Sequence, residues 1–256
     1  TYAMVATKHD TNPRQSPAKR ATEKKLETDL NEEIERLQKM LSFDREMAFK
    51  WLRTTEACLI GTDEVGRGCL AGPVVAAAVN LEDLSAESQL AKALVGLDDS
   101  KKLSAVKREA ISNSLKESCR FAIAEASVEE INAINILRAS LLAMKRAISK
   151  LDCTKTGAVI LVDGNQQIDF VKQRQILVIG GDGISASIAA ASVLAKVYRD
   201  NLMKNLHEEF PHYRWDSNKG YGSKDHRDAI QEHGLTAWHR KLFCSKLNVE
   251  QLSLLS

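Results

Sequence analysis

The stretch Gly61-Thr62-Asp63-Glu64-Val65-Gly66-Arg67-Gly68 sets two adjacent carboxylates directly before a glycine–arginine–glycine turn. Two carboxylates about 4 Å apart repel by roughly 4 kcal/mol at an effective dielectric constant near 20, so a site that gathers several of them needs a cation. Glycine has no Cβ, so the turn can sharpen and bring its backbone N–H groups close to a ligand. The stretch therefore predicts a metal ion held next to a phosphate.

An apolar stretch lies on each side of this turn, and the two are predicted to form a hairpin-like pair of strands at 58–63 and 74–81. Further strands are predicted at 121–127, 156–163 and 175–179, and helices at 104–118, 128–150 and 185–208. Strands mixed with helices in this way indicate an α/β domain with a sheet at its centre.

The N-terminal region is predicted to be an appendage to this core. Residues 1–22 are basic and polar and contain two prolines, which is typical of a disordered tail, and Thr1 to Ala3 are interpreted as the remnant of an expression tag. Residues 23–57 are predicted to be a helical extension, with a second helix at 43–52 that completes a hairpin. Its apolar stripe recurs at three- and four-residue steps: Leu26, Leu30, Ile34, Leu37 and Leu41. The extension either packs on the core or contacts nucleic acid. The core itself is predicted to span 58–245, followed by a tail at 246–256.

Composition narrows the class of protein. The chain has 256 residues, a formal net charge of +2 and five scattered cysteines without a Cys-x-x-Cys pair, which favours reduced thiols in a cytoplasmic protein. No apolar run approaches the roughly 20 residues that a membrane helix needs, and a secretory signal is not expected. Basic residues concentrate before Lys25 and between Arg214 and Lys246, which fits nucleic-acid contact or an ordinary solvated surface. A monomer is expected.

Two further carboxylates follow predicted strands. Asp163 closes the apolar run Ala158–Val162, and Asp182 follows the run at 175–179 within a Gly-Gly-Asp-Gly sequence. Each alone is readily explained as a turn residue, but three segments that end in acids favour a shared metal site at the rim of the sheet. Mg²⁺ and Mn²⁺ prefer such oxygen ligands. Because neighbours on a strand point to opposite faces, Asp63 and Glu64 are expected to converge only where the strand ends or bulges.

The predicted helix from Ser185 carries a run of small residues. Ser192, Lys196 and Arg199 follow at four- and three-residue steps, so they share one face and are candidates for a phosphate track. The alternative is a tightly packed helix with a surface pair between Lys196 and Asp200.

Two basic loops are candidate nucleic-acid contacts. In Asn218-Lys219-Gly220-Tyr221-Gly222 an exposed tyrosine would stack on a sugar or base, although a tyrosine tucked onto the core is equally consistent with the sequence. The segment Asp99-Ser100-Lys101-Lys102-Leu103-Ser104 precedes a helix, and taken alone it is a solvated turn that ends in an N-cap.

Taken in order, these segments resemble the ribonuclease HII family, the type 2 ribonucleases H. The resemblance covers about residues 60–243. The matching stretches are Gly61–Gly68, Leu70–Val75, Asp99–Ser104, Val162–Asn165, Gly181-Asp182, Ile188–Ser192, Ala195-Lys196, Arg199-Asp200 and Lys219–Tyr221. Any one of them is weak, but the full set in this order is highly specific.

The resemblance implies a ribonuclease H-like fold, a mixed central sheet flanked by helices, with 58–245 as the catalytic domain. It implies cleavage of the RNA strand of RNA–DNA hybrids and cutting on the 5′ side of single ribonucleotides in duplex DNA, with two divalent ions, Mn²⁺ or Mg²⁺. It implies four metal-binding acids, Asp63, Glu64, Asp163 and Asp182, a turn that senses the ribose 2′-OH, Gly66, Arg67 and Gly68, and a tyrosine that stacks on the following sugar, Tyr221. The other predicted substrate contacts are Ser100, Lys101, Lys102, Ser192, Lys196, Arg199 and Lys219.

The sequence departs from the family pattern at three places, with Cys69 where proline is common, Gly180 where lysine is frequent and Tyr198 where threonine is frequent. None of these removes an acid or the sensing turn. Two other classes stay open: a structure-specific DNA nuclease or recombinase on the same fold, and a hybrid-binding protein without catalytic activity.

Overall fold

A computed structural model describes residues 17–52, 58–86, 88–98, 100–101, 103–151, 157–245 and 247, apart from the side chains of 17–23 and Gln89. Five strands of this part form one sheet: β1 (Cys58–Val65), β2 (Val74–Asn80), β3 (Arg120–Ala126), β4 (Ala158–Asp163) and β5 (Arg174–Val178). Their order across the sheet is β3-β2-β1-β4-β5. The β1–β2 and β2–β3 pairs are antiparallel, whereas β1–β4 and β4–β5 are parallel. The predicted mixed sheet and the hairpin-like pair around the turn are confirmed.

The two central strands are buried on both faces because helices cover both sides of the sheet. Strand β2 reads Val-Val-Ala-Ala-Ala-Val-Asn and is buried along all but its last residue. Its alanines leave room for a helix to approach each face closely, which larger side chains would prevent. β1 is likewise buried at seven of its eight positions, the exception being the half-buried Glu64.

Helices form the outer layers. Those of the described chain are α1 (Pro17–Trp51), α2 (Gln89–Ala93), α3 (Ala105–Ser118), α4 (Val128–Ile134), α5 (Ile136–Ser149), α6 (Ala186–Glu209), α7 (Trp215–Asn218), α8 (Lys224–His233) and α9 (Lys241–Cys244). One face of the sheet packs against α1, α3 and α6, and the other against α4 and α5. The predicted cap Ser104 is confirmed, since its hydroxyl accepts from the N–H of Lys107, and Ser185 caps α6 in the same way through the N–H of Ile188.

The N-terminal extension differs from the prediction. A single helix runs from Pro17 to Trp51, instead of a tail to residue 22 and a hairpin of two helices. Proline is tolerated in the first turn of a helix, so Pro17 starts this helix and does not exclude it. Leu37, Met40 and Leu41 join the main core, which confirms the packing of the extension on the core, whereas Leu26 and Leu30 stay largely exposed. Residues 1–16 and most of the tail at 246–256 lie outside the described residues.

None of the described helices is long and apolar enough to cross a membrane.

Candidate active site

The parallel pairing of β1 with β4 brings two of the predicted acids together. Thr62 is the last β1 residue paired with β4, opposite Val162, so Asp63 and Asp163 follow at the same level of adjacent strands. Both come from the carboxyl ends of parallel strands, where open α/β sheets bind ligands. We call Asp63, Glu64 and Asp163 the acidic edge.

Asp63 is buried, and its carboxylate is held from two sides. Its Oδ1 accepts from the N–H of Glu64 at 2.7 Å, and the Ser192 hydroxyl also hydrogen-bonds to the carboxylate. Burial, reinforced by the charges of Glu64 and Asp163, raises the pKa of Asp63 well above its usual range. The carboxylate is therefore under electrostatic pressure that a bound cation would relieve.

Glu64 turns toward the glycine–arginine–glycine turn. β1 pairs with β2 in unbroken register through both acids, with Asp63 opposite Ala77 and Glu64 opposite Ala76. Of the two expected possibilities, a strand end or a bulge, this described strand shows no bulge at the acids and ends one residue later, at Val65. Glu64 Oε1 accepts from Arg67 Nη1 at 3.0 Å. Burial raises the pKa of Glu64, and the Arg67 guanidinium opposes that rise.

Asp182 sits in a one-turn 3₁₀ helix, Gly181–Gly183, that connects β5 to α6. The preceding residue fixes this turn to the acidic edge, because the N–H of Gly181 donates to Asp163 Oδ1 at 2.7 Å. The structure thus brings the Asp182 turn next to Asp163.

The acids have the chemistry of a metal site, but two of them are engaged by other groups of the protein. As the side chains lie, no group of three or more Asp, Glu, His or Cys residues within the described ranges forms a ready cage for an ion. The reason is visible in the geometry, since Glu64 is engaged by Arg67 and Asp163 by the backbone of Gly181. The donor set still fits Mg²⁺ or Mn²⁺, because it consists of carboxylates whose mutual repulsion raises the pKa of Asp63.

The glycine–arginine–glycine turn is built for close approach. Gly66 has a φ of +93°, which favours glycine, and a Cβ there would clash with the Arg199 side chain. Arg67 and Gly68 are exposed, and a Cβ on Gly68 would meet no protein atom within 4 Å. Space beside Gly68 is therefore open to a ligand next to the acidic edge.

The prediction that Arg199 belongs to a phosphate track is wrong. The side chain is fully buried, so it does not face a substrate. Its guanidinium donates to the carbonyls of Pro73 at 3.0 Å, Lys219 at 2.8 Å and Ala71 at 2.9 Å. It ties the segment after the turn to the loop of Tyr221. The helical spacing identified the shared face correctly but did not show that this face turns inward at Arg199.

A second buried arginine, which the sequence reasoning missed, braces the segment of the turn itself. Arg240 donates from Nε to the carbonyl of Gly72 and from Nη1 to that of Arg67, both at 2.9 Å. Burial lowers the pKa of Arg240 to about 10. The side chain remains cationic at neutral pH and holds the glycine–arginine–glycine turn through the Arg67 carbonyl.

Tyr221 lies at the surface of its loop with 39% of its area exposed. Its phenol hydrogen-bonds to the thiol of Cys69, and Lys196 Nζ stands 5.9 Å above its ring. Burial raises the pKa of the phenol, so it stays protonated at neutral pH. The ring is half covered by the protein, and its free part is available to a sugar.

A pair of buried histidines, also missed from sequence, supports the backbone of Tyr221. His226 Nδ1 is 2.9 Å from the Tyr221 carbonyl and must donate to it, so its Nε2 is the acceptor for Trp215 Nε1 at 3.0 Å. His239 Nδ1 accepts from the N–H of Thr236, so the proton of this neutral ring is on Nε2, which lies 3.2 Å from His226 Nε2 and donates to it. Burial lowers the pKa of both rings, to about 3 for His239. Both are neutral and structural at physiological pH.

The remaining predicted contacts divide into two groups. Ser100 and Ser192 are buried, and their hydroxyls lie 2.9 Å apart, so they support Asp63 and do not face a substrate. Lys196 pairs with Asp200 at 2.7 Å, with both side chains about one-eighth exposed, so the pair is real but is not a surface pair. Lys219 is half-buried and donates to the Asp216 carbonyl, Lys101 is exposed, and Lys102 lies outside the described residues.

Comparison with known proteins agrees with this geometry. The sequence model of the family described as Ribonuclease HII matches residues 60–246. The curated Ribonuclease HII of Sphingopyxis alaskensis is 47% identical over 204 residues, which are 80% of this chain and 96% of that protein.

Solved structures show the same fold. A structure of the PCNA:RNase HII complex from Archaeoglobus fulgidus aligns with a TM-score of 0.58 and 25% identity, over 72% of this chain and 93% of that one. Bst-RNase HIII in complex with Mn²⁺ aligns with a TM-score of 0.58 and 20% identity, over 73% of this chain and 65% of that one.

Proposed function

Because the chain belongs to the ribonuclease HII family, metal-dependent endoribonucleases that act on RNA–DNA hybrids, we propose that it also cuts on the 5′ side of single ribonucleotides in duplex DNA. The products would carry a 3′-hydroxyl and a 5′-phosphate. The observation that carries this proposal is the acidic edge, set directly beside a turn with open space at Gly68.

In this proposal four acids hold the cations. Asp63 and Asp163 are at adjacent strand ends, Glu64 reaches the site once it leaves Arg67, and Asp182 approaches on its short turn. Bound Mg²⁺ or Mn²⁺ supplies an activated water and charge stabilisation at the leaving oxygen. The released Arg67 guanidinium is then free to pair with a phosphate.

Recognition of the ribose falls to the turn and to Tyr221. The 2′-OH is the group that separates RNA from DNA locally, and the open space at Gly68 leaves room for it to hydrogen-bond to the backbone of the turn. The half-exposed ring of Tyr221 then stacks on the adjacent sugar. Arg199 joins the two segments, and Arg240 braces the turn, before substrate arrives.

A three-substrate assay tests the proposal. An RNA–DNA hybrid, a DNA duplex with one ribonucleotide and an all-DNA duplex of the same sequence are incubated with Mg²⁺ or Mn²⁺, and with EDTA. We expect cleavage of the first two substrates and EDTA-sensitive activity. Cleavage of the all-DNA duplex would favour the DNA nuclease or recombinase alternative, and binding without product would favour the non-catalytic one.

The partner of the A. fulgidus relative supports a further part of the proposal. That protein was solved with PCNA, and the tail of the present chain carries Gln251-Leu252-Ser253-Leu254-Leu255, outside the described residues. This segment begins a few residues after Leu247, which packs on the core of the catalytic domain and donates its N–H to the Cys244 carbonyl. A short peptide rich in leucine suits an apolar pocket on another protein. We infer that this tail docks on a PCNA-type partner.

Binding of a labelled 247–256 peptide to the PCNA counterpart of the source organism tests this docking. The matched control replaces Leu252, Leu254 and Leu255 with serine. Saturable binding of the native peptide alone would support the inference, and equal behaviour of the two peptides would refute it.

A further inference from the structure

A buried carboxylate joins the N-terminal helix to the catalytic domain. Asp44 of α1 is fully buried, and three groups at the start of α6 donate to it: Ser185 Oγ at 2.6 Å, Ser187 Oγ at 2.6 Å and the N–H of Ser187 at 2.8 Å. A carboxylate at the amino end of a helix also complements the helix dipole. α1 thus contributes the outer cap of α6.

The start of α6 occupies a confined position. A Cβ on Gly61 of β1 would overlap the backbone at Ser187 and Ile188, so the first turn of α6 lies directly on the strand that carries Asp63 and Glu64. Ser185 accepts from the N–H of Ile188 while its own hydroxyl donates to Asp44. A shift of this turn would change the surface on which β1 rests.

Hydrogen bonds continue from Asp44 to the acidic edge. The Ser185 N–H donates to the Gly181 carbonyl at 2.8 Å, and the Gly181 N–H donates to Asp163 Oδ1 at 2.7 Å. Asp182 lies between these two anchors, on the turn that they enclose. The route from α1 to Asp163 therefore passes through the turn that presents Asp182.

We propose that Asp44 is a positioning residue for metal binding: it sets the first turn of α6, and through Ser185 and Gly181 it sets the placement of Asp163 and Asp182. This inference rests on the proposed metal-dependent function and gives α1 a role within the catalytic unit, outside the matched family region of 60–246.

The energetic character of Asp44 supports the inference. Burial raises its pKa to about 6 even though Ser185 and Ser187 hydrogen-bond to the charged form. A helix that only packed would do so with apolar side chains, as Leu37 and Met40 do, because burying a carboxylate costs free energy. The carboxylate is retained where it satisfies donors next to the site.

Mn²⁺ binding without substrate tests the role of Asp44. Free Mn²⁺ is followed by its EPR signal during titration of the full chain, in parallel with thermal unfolding and with cleavage kinetics. Loss of a group hydrogen-bonded directly to a metal ligand typically lowers metal affinity about 10- to 100-fold. Asp44 acts through Ser185 and Gly181, so we expect Asp44→Ala to weaken Mn²⁺ binding by up to about tenfold, and Asp44→Asn, which keeps one acceptor, to recover part of it.

Leu37→Ala is the matched control, because it weakens the packing of α1 without touching Ser185 or Ser187. We expect it to lower the unfolding temperature and leave Mn²⁺ affinity unchanged. If Asp44→Ala does not fold, Ser187→Ala is used in its place, because it removes only one of the three hydrogen bonds to Asp44. Wild-type Mn²⁺ affinity in the folded Asp44 and Ser187 variants, or equal weakening in Leu37→Ala, would overturn the inference. A wild type that binds Mn²⁺ but cuts none of the three nucleic acids would refute the proposed function alone.

Discussion

The acidic edge and the recognition loops, residues 66–73 and 218–222, lie side by side but are stabilised in opposite ways. At the edge, the charges of Glu64 and Asp163 add to burial in raising the pKa of Asp63. In the loops, two buried arginines donate to backbone carbonyls, and the histidine pair fixes the carbonyl of Tyr221. The edge is electrostatically incomplete without a cation, whereas the loop carbonyls reached by Arg199, Arg240 and His226 have donors before any ligand binds.

This contrast separates the source of catalysis from the source of specificity. Free energy for metal binding is stored at the acidic edge as repulsion and desolvation, which a cation relieves. The backbone of the loops instead needs little reorganisation when the ribose arrives, because the buried arginines and His226 already bind several of its carbonyls. Variants at the edge should therefore act on turnover and variants in the loops on stability and discrimination.

The largest effect is expected for Asp63→Asn. Metal ions contribute several kcal/mol of charge stabilisation, and each ~1.4 kcal/mol is tenfold in rate, so the loss of a ligand should slow cleavage about a thousandfold or more. The amide keeps the acceptor for Glu64 N–H, so hybrid binding should persist in a gel-shift assay. Robust turnover by this variant would remove Asp63 from the site.

Arg199→Met should mainly unfold the loops. It leaves three buried carbonyls without their donor, and an unsatisfied buried polar group costs about 1–3 kcal/mol, so a loss of about 3 kcal/mol or more is expected in urea unfolding. The half-exposed Arg67 serves as control, since Arg67→Ala should stay within about 0.5 kcal/mol of wild type. Similar losses in both variants would refute the bracing role of Arg199.

Tyr221→Ala should reduce cutting at an embedded ribonucleotide more than it reduces hybrid binding. Stacking on an aromatic side chain is worth about 1–3 kcal/mol by alanine substitution, which corresponds to roughly 5- to 150-fold in kcat/KM. Tyr221→Phe keeps the ring and should stay close to wild type. Unchanged activity of the alanine variant on this substrate would exclude the stacking role.

The smallest effect is the pH dependence of stability in the metal-free protein. Because the folded-state pKa values of Asp63 and Glu64 are raised, the folded chain binds more protons than the unfolded one, and stability falls as pH rises from about 4 through those raised values. Asp44, with a pKa of about 6, adds to the same trend. Asp63→Asn should weaken the dependence of stability on pH. A metal-free wild type whose stability rises with pH over this range would contradict the assignment.

The sequence predicted the parts of the site that local pattern encodes. Acids at strand ends, the glycine turn and the cap at Ser104 are visible because each follows from neighbouring residues. Three contacts could not be predicted in this way because each joins residues 92 or more positions apart. They are those of Arg199 with Pro73, of Ser100 with Ser192 and of Asp44 with Ser185. Such contacts depend on tertiary packing, which helical spacing does not report. The prediction of a disordered tail to residue 22 is wrong from Pro17 onward, because proline fits the first turn of a helix, where its missing N–H would have no partner.

Amide hydrogen exchange with and without Mn²⁺ tests the central contrast most directly. Exchange reports local opening, segment by segment. The account predicts that Mn²⁺ adds protection at 62–65, 163–164 and 180–185, while the loop residues 69–72 and 220–221, whose N–H groups already donate within the protein, are protected in the metal-free chain and change little. Loops that gain protection only with Mn²⁺, beside an acidic edge that does not respond, would contradict it.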